Sequence, residues 1–223
     1  MLTHRYSEAL TFTFEHHHAQ VRKGEVPVPY LAHLLSVSSL TLEHGGSETE
    51  AIAALLHDTL EDVGDYVRPE ILARFGPEVL KIVEDCTDGV QEDKALETVG
   101  DGEVPPFTRW LERKTHYLAG LPLKARASRL VSLADKVHNA RAIGEDFSRY
   151  GDALWPRFRA GQWGTLWYYR SLLEGFEGAS QGDDFAGLLP LFRGAVLETE
   201  ERCGIRNSST ADLLERARAE FEV

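Results

Sequence analysis

Hydrophobic residues recur every three or four positions along most of the chain, and this spacing predicts helices nearly throughout. Between Tyr30 and Glu43, the residues Leu31, Leu34, Leu35, Val37 and Leu40 form one stripe, and Gly45-Gly46 supplies a C-terminal stop. Ser47-Glu48-Thr49-Glu50 reads as a capping box, with Ser47 as N-cap and Glu50 at the third helical position. It opens Ala51-Ile52-Ala53-Ala54-Leu55-Leu56, apolar on almost every side, so this helix is expected to be central and buried. Pro69 starts a short helix that stops near Gly76, and Pro77 restarts another through Val79, Ile82 and Val83. Thr87 to Pro106, rich in Asp, Glu and Gly, reads as a loop. Helical spacing returns from Phe107 to Leu118 and resumes after Pro122, through Leu130, Val131, Leu133, Ala134, Val137 and Ile143. An aromatic-rich helix, Trp163 to Phe176, and two more near Phe185–Glu201 and Thr210–Phe221 complete the pattern. Thr11-Phe12-Thr13-Phe14 alternates like a strand, but Tyr6, Ala9, Leu10 and Thr13 also fit a helix, and no partner strand is apparent. The expected fold is all-α, with no internal repeat.

Composition narrows the classes. A chain of 223 residues that is 43% hydrophobic is long enough to bury one sizeable core, so a single domain over 1–223 is expected. No stretch approaches the roughly 18 apolar residues of a membrane span, and Met1-Leu2-Thr3-His4-Arg5 lacks the apolar core of a secretion signal. Cys86 and Cys203 are isolated, which argues against a disulfide framework and for a reducing, cytoplasmic setting. The net charge is −12 and no five basic residues run together. A nucleic-acid partner is therefore not expected, because phosphate neutralisation needs a basic face. A small phosphorylated ligand is compatible with this charge, provided a metal and a few cations gather locally.

The candidate chemistry centres on His57-Asp58-Thr59-Leu60-Glu61-Asp62. On a helix, His57 and Glu61 share a face, as do Asp58 and Asp62. His57 and Asp58 point about 100° apart, yet both can reach one ion at a helix edge. Imidazole plus carboxylate suits zinc, manganese or iron. A metal so held lowers the pKa of a bound water, and Glu61 or Asp62 can take or orient its proton. The competing reading is a capped or surface His-Asp pair, but charges inside an apolar helix are costly unless paired or metal-bound.

Other residues are ambiguous taken singly. His33 fits a partly buried core histidine, and Asp135-Lys136 fits a salt-bridged surface step with Asn139 four residues on. His16-His17-His18 splay around a helix and read as a solvated face. Arg22-Lys23 before Gly24 fits either a phosphate clamp or an exposed helix C-terminus. Trp155, Phe158, Trp163, Trp167, Tyr168 and Tyr169 read most simply as helix packing rather than a base-stacking wall.

Several segments taken together resemble one family. They are His17-x-x-Gln20-x-Arg22-Lys23, Pro29-Tyr30-Leu31-Ala32-His33, Ala53 to Asp62, Phe75-Gly76-x-x-Val79, Thr87-Asp88, Glu112-Arg113-Lys114 and Leu133-Ala134-Asp135-Lys136-x-x-Asn139-x-Arg141. Their order and spacing resemble the HD-domain metal-dependent phosphohydrolases. The likeness is greatest to the stand-alone hydrolases of the alarmone guanosine tetraphosphate and to the hydrolase half of the bifunctional alarmone synthetase–hydrolases. It covers a core of about residues 5–145, leaving a C-terminal helical extension of about 146–223. The resemblance implies an all-helical bundle with extra C-terminal helices, and His33, His57, Asp58 and Asp135 as ligands of a divalent metal, usually manganese. It further implies that Glu61 and Asp62 activate or place the attacking water, and that Arg22, Lys23 and Asn139 bind substrate. The chain departs from the family at His33-Leu34, where His-Pro is common, and at Val137-His138-Asn139-Ala140, where Leu-Tyr-Asn-Leu is common.

The implied function is a cytoplasmic, metal-dependent phosphohydrolase acting on a small-molecule nucleotide, with guanosine tetraphosphate cleaved at its 3′-diphosphate as the leading substrate. Two alternatives stand beside it. One is an HD-type phosphatase of nucleoside monophosphates or of a nicotinamide cofactor. The other is a non-catalytic module that senses a nucleotide.

Overall fold

The computed structural model describes residues 1–22, 24, 26–88, 104–180 and 185–221. These residues are helical with no strand among them, and backbone pairing outside helices and turns is confined to an isolated antiparallel bridge between Val21 and Pro29. The chain divides into two compact units, Met1–Lys94 with Lys124–His138, and Ala95–Leu123 with Asn139–Val223.

The first unit is built from α1 (His4–His17), α2 (Leu31–Glu43), α3 (Glu48–Leu56), α4 (Thr59–Asp62), α5 (Arg68–Cys86) and the N-terminal half of α7 (Arg126–Tyr150). The strand-like tetrapeptide lies inside α1, whose N-cap Thr3 accepts from the Arg5 N–H at 3.3 Å. Ala9, Thr13 and His17, four apart, are buried on one face of α1 with Phe12 beside them. His17 therefore corrects the expected solvated histidine face: its ring is sealed within the unit, and only its neighbours are exposed to some degree. The C-terminus of α2 is closed by a Schellman motif. Gly46 N–H donates to Thr41 O at 2.8 Å and Gly45 N–H to Leu42 O at 3.2 Å, with Gly45 at φ 84° where a side chain would be strained.

The capping box at Ser47 and Glu50 forms as expected, and every residue of α3 from Glu50 to Leu56 is buried. Buried on all sides, α3 is the central rod of the unit. It packs on α2, α5 and α1, and Ser38 of α2 ties to it by donating to Ala51 O at 2.9 Å. Within α5 the chain breaks its helical path at Gly76 (φ 86°), just before Pro77, at the stop and restart the sequence predicts. The first half of α7 buries Leu130, Val131, Leu133, Ala134 and Val137.

The second unit holds α6 (Pro106–Gly120), the remainder of α7, α8 (Gly161–Ala179), α9 (Leu188–Arg202) and α10 (Thr210–Phe221). Its core is aromatic. Trp110 meets Trp167 and Tyr168 edge to face at 5.9 and 6.1 Å, and Phe176 meets Phe192 edge to face at 6.0 Å. Trp155, Trp167 and Tyr168 are buried, so half of the six-residue aromatic cluster lies in the packed core. Of the predicted loop from Thr87 to Pro106, residues 89–103 lie outside the described residues.

Candidate metal centre

Three elements of the first unit converge on one point. Helix α2 brings His33, the break after α3 brings His57 and Asp58, and α7 brings Asp135. The expectation of one helix through His57–Asp62 is corrected here. Helix α3 ends at Leu56, Asp58 sits at φ −96°, ψ 0°, and the chain re-enters a helix only for Thr59–Asp62. The cause is local. His57 turns its own Nδ1 back to Ala54 O at 2.8 Å, the carbonyl that an uninterrupted helix would offer to the Asp58 N–H. The break swings His57 Nε2 and the Asp58 carboxylate towards the same point.

The distances are short and mutual. His33 Nε2 lies 3.4 Å from Asp58 Oδ2 and 3.3 Å from Asp135 Oδ1. His57 Nε2 lies 3.0 Å from Asp58 Oδ2 and 3.6 Å from Asp135 Oδ1. Donor atoms of His33, His57 and Asp58 all fall within 4.8 Å of one another. His33, His57 and Asp135 are only 1%, 2% and 6% exposed. At that depth a polar atom is normally hydrogen-bonded. Yet His57 Nε2, for all its ion-pair contacts, has no partner in hydrogen-bond geometry. A buried nitrogen with no hydrogen-bond partner, facing two carboxylate oxygens and a second imidazole, fits a divalent cation with mixed nitrogen and oxygen ligands.

The electrostatics point the same way. Burial works against a charged His57, but the Asp58 and Asp135 carboxylates outweigh it and hold its pKa well above 6.5. Burial likewise works against both carboxylates. The His57 and His33 imidazoles keep Asp58 well below the usual carboxylate range, and Lys136 together with the histidines does the same for Asp135. Both acids therefore stay ionised and keep their oxygens available as ligands.

Further groups orient the cluster. Tyr30 OH donates to Asp58 Oδ2 at 2.5 Å. Burial first, and Asp58 second, push the Tyr30 phenol pKa far up, so it remains a donor. His33 Nδ1 lies 2.9 Å from His138 Nδ1. Burial, then His33 and Arg22, lower the His138 pKa to about 4, so His138 is neutral and can accept from the Nδ1–H of a His33 that turns Nε2 to a metal. Lys136 Nζ pairs with Asp135 Oδ2 at 2.7 Å. The Asp135-Lys136 salt bridge thus exists, but it is buried in the centre rather than exposed on a surface.

The structure places the remaining predicted residues as follows. Glu61 and Asp62 lie on α4 beside the cluster's Asp58 and are half-buried, and Asp62 Oδ2 accepts from Gln20 Nε2 at 2.9 Å. Arg22 is not at a helix C-terminus, because α1 ends at His17. It sits in the short bridged segment, with its N–H donating to Val28 O at 2.8 Å. Lys23 lies outside the described residues. Asn139 lies on α7, the first residue there of the second unit. The sequence reading assigned no role to Tyr30 or His138. The signal for Tyr30 was its position three residues before His33. For His138 it was the departure from the family pattern.

A model of the HD domain matches residues 9–165, and the chain belongs to the HD-domain family. Membership implies a divalent metal, in agreement with the donor set above. Among similar proteins, guanosine-3′,5′-bis(diphosphate) 3′-pyrophosphohydrolase MESH1 of Xenopus tropicalis is 37% identical over 138 residues, 61% of this chain and 68% of that protein. Its Mus musculus counterpart is 31% identical over 177 residues, 78% of this chain and 86% of that protein. A GTP pyrophosphokinase rsh of Brucella melitensis is 33% identical over 139 residues, which is 62% of this chain but 17% of that longer protein. In fold, the chain is similar to a metazoan SpoT orthologue that hydrolyses ppGpp, with a TM-score of 0.62 and 21% identity over 92% of this chain and 98% of that one.

Proposed function

We propose that this chain is a metal-dependent phosphohydrolase that removes pyrophosphate from the 3′ position of guanosine tetraphosphate. The observation that carries the substrate is the similarity to curated 3′-pyrophosphohydrolases, which in the mouse protein extends over 78% of this chain. The proposed ligands are His33, His57, Asp58 and Asp135, and the proposed metal is manganese, in keeping with two nitrogen and two oxygen donors. A cytoplasmic setting belongs to the same proposal and is supported by the free Cys86 and Cys203.

When bound, the cation supplies a water of lowered pKa and charge neutralisation at the phosphate. The chain's own residues do the rest. Glu61 or Asp62 takes the proton of the attacking water. The water oxygen bonds to the phosphorus attached to the 3′ oxygen, that P–O bond breaks, and the 3′ oxygen leaves with a proton, giving GDP and pyrophosphate. Arg22, Lys23 and Asn139 are the proposed substrate contacts, with the two cations meeting phosphate charge.

The test is product analysis with manganese, offering guanosine tetraphosphate, nucleoside monophosphates and NADPH, beside Asp58→Asn. Pyrophosphate and GDP from the tetraphosphate, absent in the variant, are expected. Orthophosphate from a monophosphate or NADPH instead would keep the centre and overturn the substrate. Metal and nucleotide binding without any turnover would establish a sensing module.

A further inference from the structure

The middle member of the histidine triplet is a buried ring that the metal centre does not use. Its Nδ1 lies 2.5 Å from Gln20 Oε1, and its Nε2 lies 3.3 Å from Thr59 Oγ1. Gln20 Nε2 in turn donates to Asp62 Oδ2 at 2.9 Å. All four residues belong to the first unit, and His17 and Thr59 are both fully buried.

The direction of every bond in this chain follows from its last member. An ionised carboxylate only accepts, so the amide nitrogen of Gln20 must face Asp62 and its oxygen must face His17. That oxygen only accepts, so His17 carries its proton on Nδ1. His17 Nε2 is then a lone pair, and the Thr59 hydroxyl donates to it. The relay therefore runs one way, from Thr59 through His17 and Gln20 to Asp62, with one donor and one acceptor at each junction. Its two ends are three residues apart on α4 (Thr59–Asp62), and its middle lies at and just beyond the end of α1 (His4–His17). It braces the short helix against the long one and fixes Oδ2 of Asp62.

We propose that His17 and Gln20 are positioning residues for Asp62, holding its carboxylate in the orientation that places the attacking water. This deepens the hydrolase reading and rests on it. A four-residue helix has little rigidity of its own, and a catalytic carboxylate must be held to within a fraction of an ångström. The relay supplies that hold from outside the helix.

The experiment measures kcat, KM for guanosine tetraphosphate and manganese affinity for wild type, Gln20→Leu, Asp62→Asn and the double variant, together with His17→Phe and His17→Asn. Gln20→Leu is expected to lower kcat about tenfold to a hundredfold, the range for a lost hydrogen bond to a charged group, with KM and metal affinity little changed. Adding Gln20→Leu to Asp62→Asn is expected to cost nothing further, since both remove one unit. His17→Phe should mimic Gln20→Leu. His17→Asn, whose amide can donate from near the Nδ1 position, should recover part of the loss. Unchanged kcat in Gln20→Leu, or losses that multiply in the double variant, would overturn the proposal. Long-range proton–nitrogen NMR of the His17 ring decides the relay without substrate. A proton on Nδ1 supports it and a proton on Nε2 overturns it, even if wild type turns over no member of the panel and the hydrolase reading falls.

Discussion

Each unit buries charge, and the two do so in opposite ways. In the second unit Arg170 and Glu200 form a bidentate pair. Arg170 Nε donates to Glu200 Oε1 at 2.7 Å, its Nη2 meets Oε2, and its Nη1 donates to Ser208 O at 3.1 Å. Donors and acceptors are matched, and the pair is closed on itself. In the first unit His33, His57, Asp58 and Asp135 converge with His57 Nε2 left outside any hydrogen bond. Desolvating a charge costs several kcal/mol per ion unless it is compensated. A closed pair is compensated within the fold and is structural. An open cluster is compensated, on the function proposed above, by a cation. What separates the two is where the leftover bonding capacity points; burial and charge alone do not distinguish them.

The largest expected effect sharpens the chemical side of this contrast. Glu61→Ala removes a proposed proton acceptor without touching a proposed ligand. Turnover should fall by about 10²–10⁴-fold, the usual contribution of a general base, while manganese still binds. Steady-state kinetics beside a metal-binding titration read both. Full activity would leave Asp62 as the proton acceptor, and loss of metal binding would make Glu61 a ligand. Next comes Glu200→Ala in the second unit. It leaves a partly buried guanidinium without its carboxylate and should destabilise the protein by about 1–3 kcal/mol, read as a lower urea midpoint, with manganese affinity preserved. Replacing both partners, Arg170→Met with Glu200→Leu, should restore most of that stability. A Glu200→Ala protein that is stable but no longer binds manganese would break the contrast outright.

The architecture was legible because helix spacing and terminal signals are local. The capping box at Ser47, the break at Gly76-Pro77 and the helix over Thr210–Phe221 depend on neighbours within one turn. The centre was legible only as separate words, His33, His57-Asp58 and Asp135, whose meeting depends on packing between helices far apart in the chain. Two errors have physical causes. His17 read as solvated because three consecutive histidines suggest exposure, whereas the four-residue spacing of Ala9, Thr13 and His17 places it on the buried face of α1. The helix through His57 read as continuous because its sequence is helix-forming, whereas a side-chain bond from His57 to Ala54 O competes with the backbone.

A smaller effect separates a ligand from its support. His138 shares a ring-nitrogen hydrogen bond with His33 and, in the proposed tautomer, accepts it. His138→Phe keeps an aromatic ring and removes the acceptor, so His33 can present the wrong tautomer. Manganese affinity should drop by about 10–100-fold, the usual effect of losing such a partner, with the fold intact by circular dichroism. His138→Asn, which keeps an acceptor near the same position, should bind metal more tightly than His138→Phe. Equal affinity in all three proteins would show that the backbone alone orients His33.

The smallest effect isolates scaffold from site within the first unit. Ser47 caps α3 at the end opposite His57, with the nine helical residues between them, roughly 15 Å at 1.5 Å per residue. Its hydroxyl accepts from Glu50 N–H at 3.4 Å while Glu50 returns a bond to Ser47 N–H at 2.6 Å. Ser47→Ala removes half of this box and should cost about 1 kcal/mol of stability, seen as a modest fall in the urea midpoint. Because α3 is buried from Glu50 to Leu56, packing should still fix the position of His57, and manganese affinity should not move. If affinity falls in step with stability, α3 shifts along its axis when uncapped. Its cap would then belong to the centre as much as Ala54 does, and the division between a rigid scaffold and a demanding site would lie closer to His57 than the packing of α3 implies.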